Sequence, residues 1–259
     1  MTPESSGVPA FYANALTDLS RSRIPFLVGG AFAFTHYTGI ERHTKDVDLF
    51  LRAEDVGRAL EFFRSLGHRV EVPFPHWLAK VYEDREYVDL IFSSGNGVTV
   101  VDDDWFEHSV EAEVLGVSVR LCPPEETIWS KAFVQERERF DGADVLHLMH
   151  RLAPSLDWRR ILRRFGPHWR VLFAHLVMFG FVYPGRRHDV PHWVIDELTT
   201  QLITDRSEFA DVVCNGPLLS REQYIYDLAH LAYDDGRIEP RGRMSAREVD
   251  IWTRAIDSD

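Results

Sequence analysis

The chain has 259 residues, 45% of them hydrophobic, enough to bury the core of one large or two modest domains. Its formal net charge of −12 argues against a general nucleic-acid coat and leaves room only for a local basic groove. No basic start followed by an apolar run marks a signal peptide, and the longest apolar stretch, Val171 to Tyr183, is broken by His175 and too short for a bilayer. A cytoplasmic protein with no membrane association is expected. Cys122 and Cys214 are far apart, in no metal-like spacing, and read as reduced thiols.

In chain order, Pro9 to Arg23 carries apolar residues at Phe11, Leu16 and Leu19 and predicts a first helix. Pro25-Phe26-Leu27-Val28 predicts a short buried strand, which Gly29-Gly30 turns into a helix running to about Tyr37. A polar connection, Gly39 to Lys45, leads to the strand Asp46–Leu51, and Ala53–Leu66 reads as an amphipathic helix ended by Gly67. Three extended segments follow: His68–Val72, Trp77–Tyr82 and Tyr87–Phe92, the last two flanking the turn Glu83-Asp84-Arg85. Asp102-Asp103-Asp104 reads as a solvated loop. A second hairpin pairs Glu111–Val114 with Val117–Leu121 around Leu115-Gly116. Pro123-Pro124-Glu125-Glu126 then opens a helix, with acids in its first turn.

Beyond about Asp141 the pattern is helical: Ala143–Leu152, Trp158–Phe165, His168–Phe181, His192–Leu202, Glu222–Tyr233 and Ala246–Ile256. Ser220, with Gln223 three residues on, predicts a capping box for the fifth of these. The expected fold is α+β: a mixed β-sheet flanked by helices over residues 1–141, then an all-α domain over residues 142–259.

The chemistry concentrates in Asp46-Val47-Asp48-Leu49-Phe50-Leu51. A strand period of two puts both carboxylates on one face and Val47 and Leu49 on the other. An isolated Asp-x-Asp is usually a solvated face, but this strand is largely apolar, and paired buried carboxylates need a partner such as Mg²⁺. Tyr87-Val88-Asp89-Leu90-Ile91-Phe92 is a near-copy. If the two strands pair, Asp89 joins Asp46 and Asp48, and three converging carboxylates suit two-metal nucleotidyl transfer. Gly29 and Gly30, ahead of a helix, offer N–H groups to a phosphate. His36, on that helix, reads as a core or supporting residue. His188 and His192, with a proline between them, do not read as a zinc site.

Taken together, Gly29-Gly30-Ala31, His36-Tyr37-Thr38-Gly39 and Arg42-His43-Thr44-Lys45-Asp46-Val47-Asp48-Leu49 resemble the signature of polymerase-β-like nucleotidyltransferases, nearest the minimal bacterial group with AbiEii-type toxins and small antibiotic nucleotidyltransferases. The resemblance covers roughly Pro25 to Leu148. It implies that Gly29 and Gly30 cradle the triphosphate of an NTP, that Asp46, Asp48 and Asp89 ligate two Mg²⁺ ions, and that Arg42 and Thr44 contact the nucleotide. A glycine pair stands where other branches have Gly-Ser, so no serine hydroxyl is available there. Downstream, Cys122-Pro123-Pro124-Glu125-Glu126 through Lys131, Arg137, Asp141 and Asp144 resembles a helix pair of the same family. Lys131 then reads either as a ligand for a β- or γ-phosphate or as a surface lysine. Asp141 and Asp144 read as helix caps or partners of Arg137.

The expected activity is Mg²⁺-dependent transfer of a nucleoside monophosphate from NTP to a hydroxyl acceptor. The likeness to toxins implies an RNA end such as tRNA, with an antitoxin partner, and Arg159, Arg160, Arg163, Arg164 and Arg170 offer phosphate contacts or an exposed helix face. An aminoglycoside-type small molecule is the alternative acceptor, and a non-catalytic nucleotide-binding regulator is a reading of a different class.

Overall fold

The computed structural model describes residues 10–42, 44–205 and 212–255. They fall into two compact units, the first drawn from the spans Met1–Thr35, Glu41–Ser93 and Val100–Pro123, the second from His36–Ile40, Ser94–Thr99 and Pro124–Asp259.

The first unit is built on a seven-stranded mixed sheet. Its elements are α1 (Ala10–Ser22), β1 (Leu27–Val28), α2 (Gly30–Thr38, whose first residues belong here), β2 (Val47–Phe50), α3 (Ala53–Ser65), β3 (Arg69–Phe74), β4 (Leu78–Glu83), β5 (Glu86–Ile91), α4 (Asp103–Glu107), β6 (Val110–Val114) and β7 (Val117–Leu121). The strand order is β3-β4-β5-β2-β1-β7-β6, with β2 parallel to β5 and β1 parallel to β7. α1 buries Phe11, Tyr12, Ala15, Leu16 and Leu19, the one-sided stripe expected of a helix lying on a core. α3 buries Val56, Ala59, Leu60 and Phe63 in the same way. Gly67 has φ +92°, the left-handed conformation that ends α3 where the sequence predicts it.

Alternation in the central strands is sharp. Val47, Leu49, Ala79, Val81, Val88 and Leu90 are all buried, while Asp48, Lys80 and Asp89 fall between them on the opposite face. The hairpin β6–β7 turns at Leu115 and Gly116, both at positive φ, the geometry whose twist matches that of the flanking strands.

The second unit is helical: α5 (Pro124–Ala132), α6 (Gly142–Leu152), α7 (Trp158–Phe165), α8 (Trp169–Val182), α9 (His192–Thr204), α10 (Ile225–His230) and α11 (Ala246–Arg254), with a two-stranded ladder of β8 (Val213–Cys214) and β9 (Asp234–Asp235). Ile128, Ala132, Val145, Leu148, Met149, Ile161, Phe165, Leu172 and Phe179 form its core. His175 is buried among them, its Nε2 donating to the Ala132 carbonyl at 3.0 Å, and burial pushes its imidazole pKa down. No helix among the described residues is long and apolar enough to cross a membrane.

Three local expectations need correction. Asp102 to Asp104 are solvated, but they open the short helix α4 rather than a loop, with Asp103 and Asp104 in its first turn. The helix expected over Glu222–Tyr233 is confined to Ile225–His230: before it the Tyr224 ring lies against Gly216, where an added Cβ would meet it at 2.1 Å, and after it Ala232 takes the left-handed φ of +58°. Ser220 accepts from the Gln223 N–H at 3.2 Å, yet its hydroxyl donates to Glu136 and no helix starts there. The reciprocal capping box belongs instead to Ser245 and Glu248 at the start of α11.

Candidate active site

Parallel pairing of β2 with β5 sets Val47 opposite Val88 and Asp48 opposite Asp89. Asp46, just before β2, points to the same side, and one carboxylate oxygen from each of the half-buried Asp46, Asp48 and Asp89 lies within 4.8 Å of the other two. On the other flank of β5, antiparallel β4 brings Lys80 opposite Asp89, and its Nζ donates to Asp89 Oδ1 at 2.7 Å. That ammonium also lies 4.0 Å from the centre of the Tyr87 ring.

Each acid is positioned by its neighbours. The Thr44 hydroxyl donates to Asp46 Oδ1 at 2.7 Å, and the Asp46 N–H returns to Thr44 Oγ1 at 3.4 Å. Gly30 opens α2 at φ +53°, and a Cβ there would lie 1.7 Å from Asp48 Oδ2. The second glycine of the pair thus leaves room for the Asp48 carboxylate beside the N-terminus of α2, where the helix dipole favours negative charge. Gly29 serves packing: a Cβ there would meet the Phe50 ring at 2.3 Å, and Phe50 in turn stacks on Trp105. The Gly29 N–H also donates to the Asp48 carbonyl at 2.9 Å. The Arg42 guanidinium sits over the Phe34 ring, 5.0 Å from its centre.

The acids of this cluster act on their neighbours. Burial pushes the Asp89 carboxyl above the usual carboxylate range, Asp46 adds to the rise, and the hydrogen bond and charge of Lys80 oppose it. Burial, then the charges of Asp46, Asp89 and Asp48, push the Tyr87 hydroxyl pKa up as well. The single hydroxyl proton of Tyr12 faces both the Lys45 carbonyl at 2.6 Å and Glu86 at 2.9 Å, and the pKa of that hydroxyl is raised by burial first and by Glu86 next. Three clustered carboxylates with one ammonium at the edge form a hard-oxygen donor set, which fits divalent magnesium chemistry.

Gly30→Ala should destabilise the protein by about 1–3 kcal/mol in EDTA, since the new methyl needs both a strained φ and a displaced Asp48. Chemical denaturation measures this, and an unchanged midpoint would show that Asp48 is not seated on Gly30.

Of the other expected residues, His36 is exposed, its ring edge-on to Tyr37. Lys131 belongs to the second unit, where its Nζ donates to Asp141 and Asp144, each at 2.9 Å. Asp141 pairs also with Arg139 rather than Arg137, which lies exposed beside Glu138. Burial alone would raise the Asp141 carboxyl, but Arg139 and Lys131 together pull it below the usual range.

The basic stretch around α7 is not the uniformly exposed face that local sequence allows. Arg160, 4% exposed, is bonded to Glu125 and lies 3.5 Å from Glu126, while Arg164 reaches Glu126 at 2.9 Å. Arg159 lies over the Trp193 ring and Arg170 pairs with Asp205 at 2.6 Å. A second acidic cluster, Asp104, Glu107 and His108, is one surface turn of α4, with His108 Nδ1 bonded to the Asp104 carbonyl. Lys80 stands out in the sequence only as one of three lysines, with Lys45 and Lys131, and its place beside Asp89 is what sequence reading leaves unassigned. Its signal is countable, since two residues of turn between Glu83 and Glu86 place Lys80 opposite Asp89.

The family described as nucleotidyl transferase of unknown function (DUF2204) matches residues 10–165, more than half of the chain. No curated protein matches the sequence. Among solved structures, the chain is similar to the antibiotic-resistance factor ANT(2'')-Ia (19% identity, 64% of this chain and 93% of that one, TM-score 0.44). It is similar also to the lincosamide antibiotic adenylyltransferase LnuA (17% identity, 53% and 92%, TM-score 0.38). A third such structure is a nucleotidyltransferase-like protein of Thermotoga maritima (15% identity, 44% and 75%, TM-score 0.35).

Proposed function

Because the chain belongs to this nucleotidyl transferase family, within the polymerase-β-like superfamily, we propose that it moves a nucleoside monophosphate from an NTP to a hydroxyl group of an acceptor, with release of pyrophosphate. The observation that carries the reading is the parallel register of β2 and β5, which gathers Asp48 and Asp89 with Asp46 into one carboxylate cluster. Those residues fit two Mg²⁺ ions, which when bound neutralise charge on the phosphates and lower the pKa of the attacking hydroxyl.

The protein's own groups divide the remaining work. Asp46, oriented by Thr44, and Asp48, seated beside Gly30, are the proposed metal ligands. Asp89 ligates as well and takes the acceptor's proton, while Lys80 supports its ionised form against the effect of burial. The acceptor oxygen bonds to the α-phosphorus as the bond from that phosphorus to pyrophosphate breaks. Free N–H groups at the start of α2 and the Arg42 guanidinium are the proposed partners of the triphosphate. The internal ion pairs of Arg160 and Arg164 withdraw two arginines from an RNA-binding face, which favours a small hydroxylated acceptor.

Each labelled NTP should be incubated with Mg²⁺ and, in turn, total RNA and a panel of hydroxylated small molecules including aminoglycosides. Mg²⁺-dependent pyrophosphate release with label in the small-molecule pool is expected. Label in RNA would overturn the acceptor assignment, and no release with any NTP would leave a non-catalytic nucleotide binder.

A further inference from the structure

The second unit contains a cavity of about 200 Å³ whose lining holds four arginines and a histidine and no carboxylate, in a chain with a net charge of −12. Arg163 and Arg164 come from the last turn of α7, His168 from the turn after it, Arg241 and Arg243 from the loop between β9 and α11, and Asn96 from the segment Ser94–Thr99. We propose that this cavity binds the phosphoryl group of a small phosphorylated ligand, as a site made of residues other than those of the carboxylate cluster.

Two of the guanidinium groups have counter-charges: Arg164 pairs with buried Glu126, and Arg241 with exposed Asp234. Arg163 and Arg243 are exposed, and among the described residues neither has a carboxylate partner. Like charges gathered around one hollow repel each other, and an anion placed between them relieves that repulsion while accepting charge-assisted hydrogen bonds. The imidazole of His168 registers this environment: burial lowers its pKa first, and the charge of Arg243 lowers it further.

The loop that carries two of the arginines is held in place. Arg237, 1% exposed, is bonded to Asp235 with Nη2 at 2.7 Å from the carboxylate, and Ile238 bridges to Met244. Gly242 lets the chain close on itself, since a Cβ there would lie 2.0 Å from the Arg237 carbonyl oxygen. Arg241 and Arg243 therefore flank a fixed backbone point. The Asn96 carboxamide is fixed too, donating to the Leu218 carbonyl at 2.6 Å. The cavity suits a phosphate or diphosphate group, and the planar forks of arginine match its oxygens in pairs.

Isothermal titration of the full chain in EDTA with inorganic phosphate, pyrophosphate and adenosine monophosphate tests the proposal, with Asp48→Asn and the double variant Arg163→Ala/Arg243→Ala run alongside. EDTA and Asp48→Asn separate this site from the proposed transfer site, so the two readings fail independently. Saturable binding of at least one probe is expected, unchanged in Asp48→Asn and weakened at least about tenfold in the double variant, with that variant melting like wild type. The strongest probe then tells free phosphate from a phosphomonoester. No saturable binding of any probe, or binding that the double variant leaves intact, overturns the proposal. Should the double variant melt early, the two single substitutions are measured in its place, and the same tenfold criterion applies to the pair's combined loss.

Discussion

Asp48→Asn is expected to cut Mg²⁺-dependent pyrophosphate release by at least about a thousandfold, roughly 4 kcal/mol of transition-state stabilisation, without lowering the melting temperature in EDTA. The reasoning separates charge from shape. Asn keeps the volume that fits beside Gly30, so the packing around Oδ2 survives. It removes one of three negative charges whose oxygens lie within 4.8 Å of one another, and so removes repulsion that the metal-free protein must tolerate. A carboxylate kept for structure would behave in the opposite sense, with stability lost and turnover little changed. Assays of pyrophosphate alongside thermal melts distinguish the two, and an Asn variant with full activity would end the metal-ligand assignment.

Arg160→Met should destabilise the second unit by about 3–5 kcal/mol, a fall in melting temperature on the order of 10 °C. Met approximates the arginine stem but leaves Glu125 without its bonded cation and Glu126 with Arg164 alone. Glu126 is fully buried, and burial already holds its carboxyl above the usual range against the pull of both arginines. Removing one partner leaves charge that the interior cannot solvate. Arg163→Ala, one turn along the same helix but exposed, is the control and should change stability by no more than about 0.5 kcal/mol. A loss below about 1 kcal/mol for Arg160→Met would mean that the two glutamates discharge by taking up protons instead.

These two sites show where local sequence is informative and where it stops. Asp48 and Asp89 could be read together because strand side chains alternate, and because near-identical hydrophobic settings mark two strands of one sheet. The register of the β4–β5 hairpin was equally within reach, and with it the contact of Lys80 with Asp89. Arg160 and Arg164 were not legible as internal charges. In sequence they repeat the pattern of Arg159 and Arg163, and what separates the pairs is Glu125 and Glu126, more than thirty residues earlier on α5. Helical period assigns a face, but only tertiary packing decides whether that face meets water. The role of Gly30 was half legible: the turn was expected, whereas the crowding against Asp48 belongs to the folded chain alone. The α4 helix over Asp103–Glu107 is too short to leave a periodic trace, and the bend of Tyr224 onto Gly216 has no local signature at all.

The parallel pairing of β2 with β5 has a consequence for folding. Parallel neighbours cannot be joined by a tight turn, and here α3, β3 and β4 intervene between Phe50 and Glu86. Asp89 is therefore a stranger to Asp46 and Asp48 in the unfolded chain and joins them only once the sheet has closed over that long excursion. A cation that binds all three favours the folded form alone and shifts the unfolding equilibrium by mass action, rising with the logarithm of its free concentration. Divalent ion concentration would then act as a thermostat on the central sheet, coupling the endurance of the fold to the same groups proposed for its chemistry.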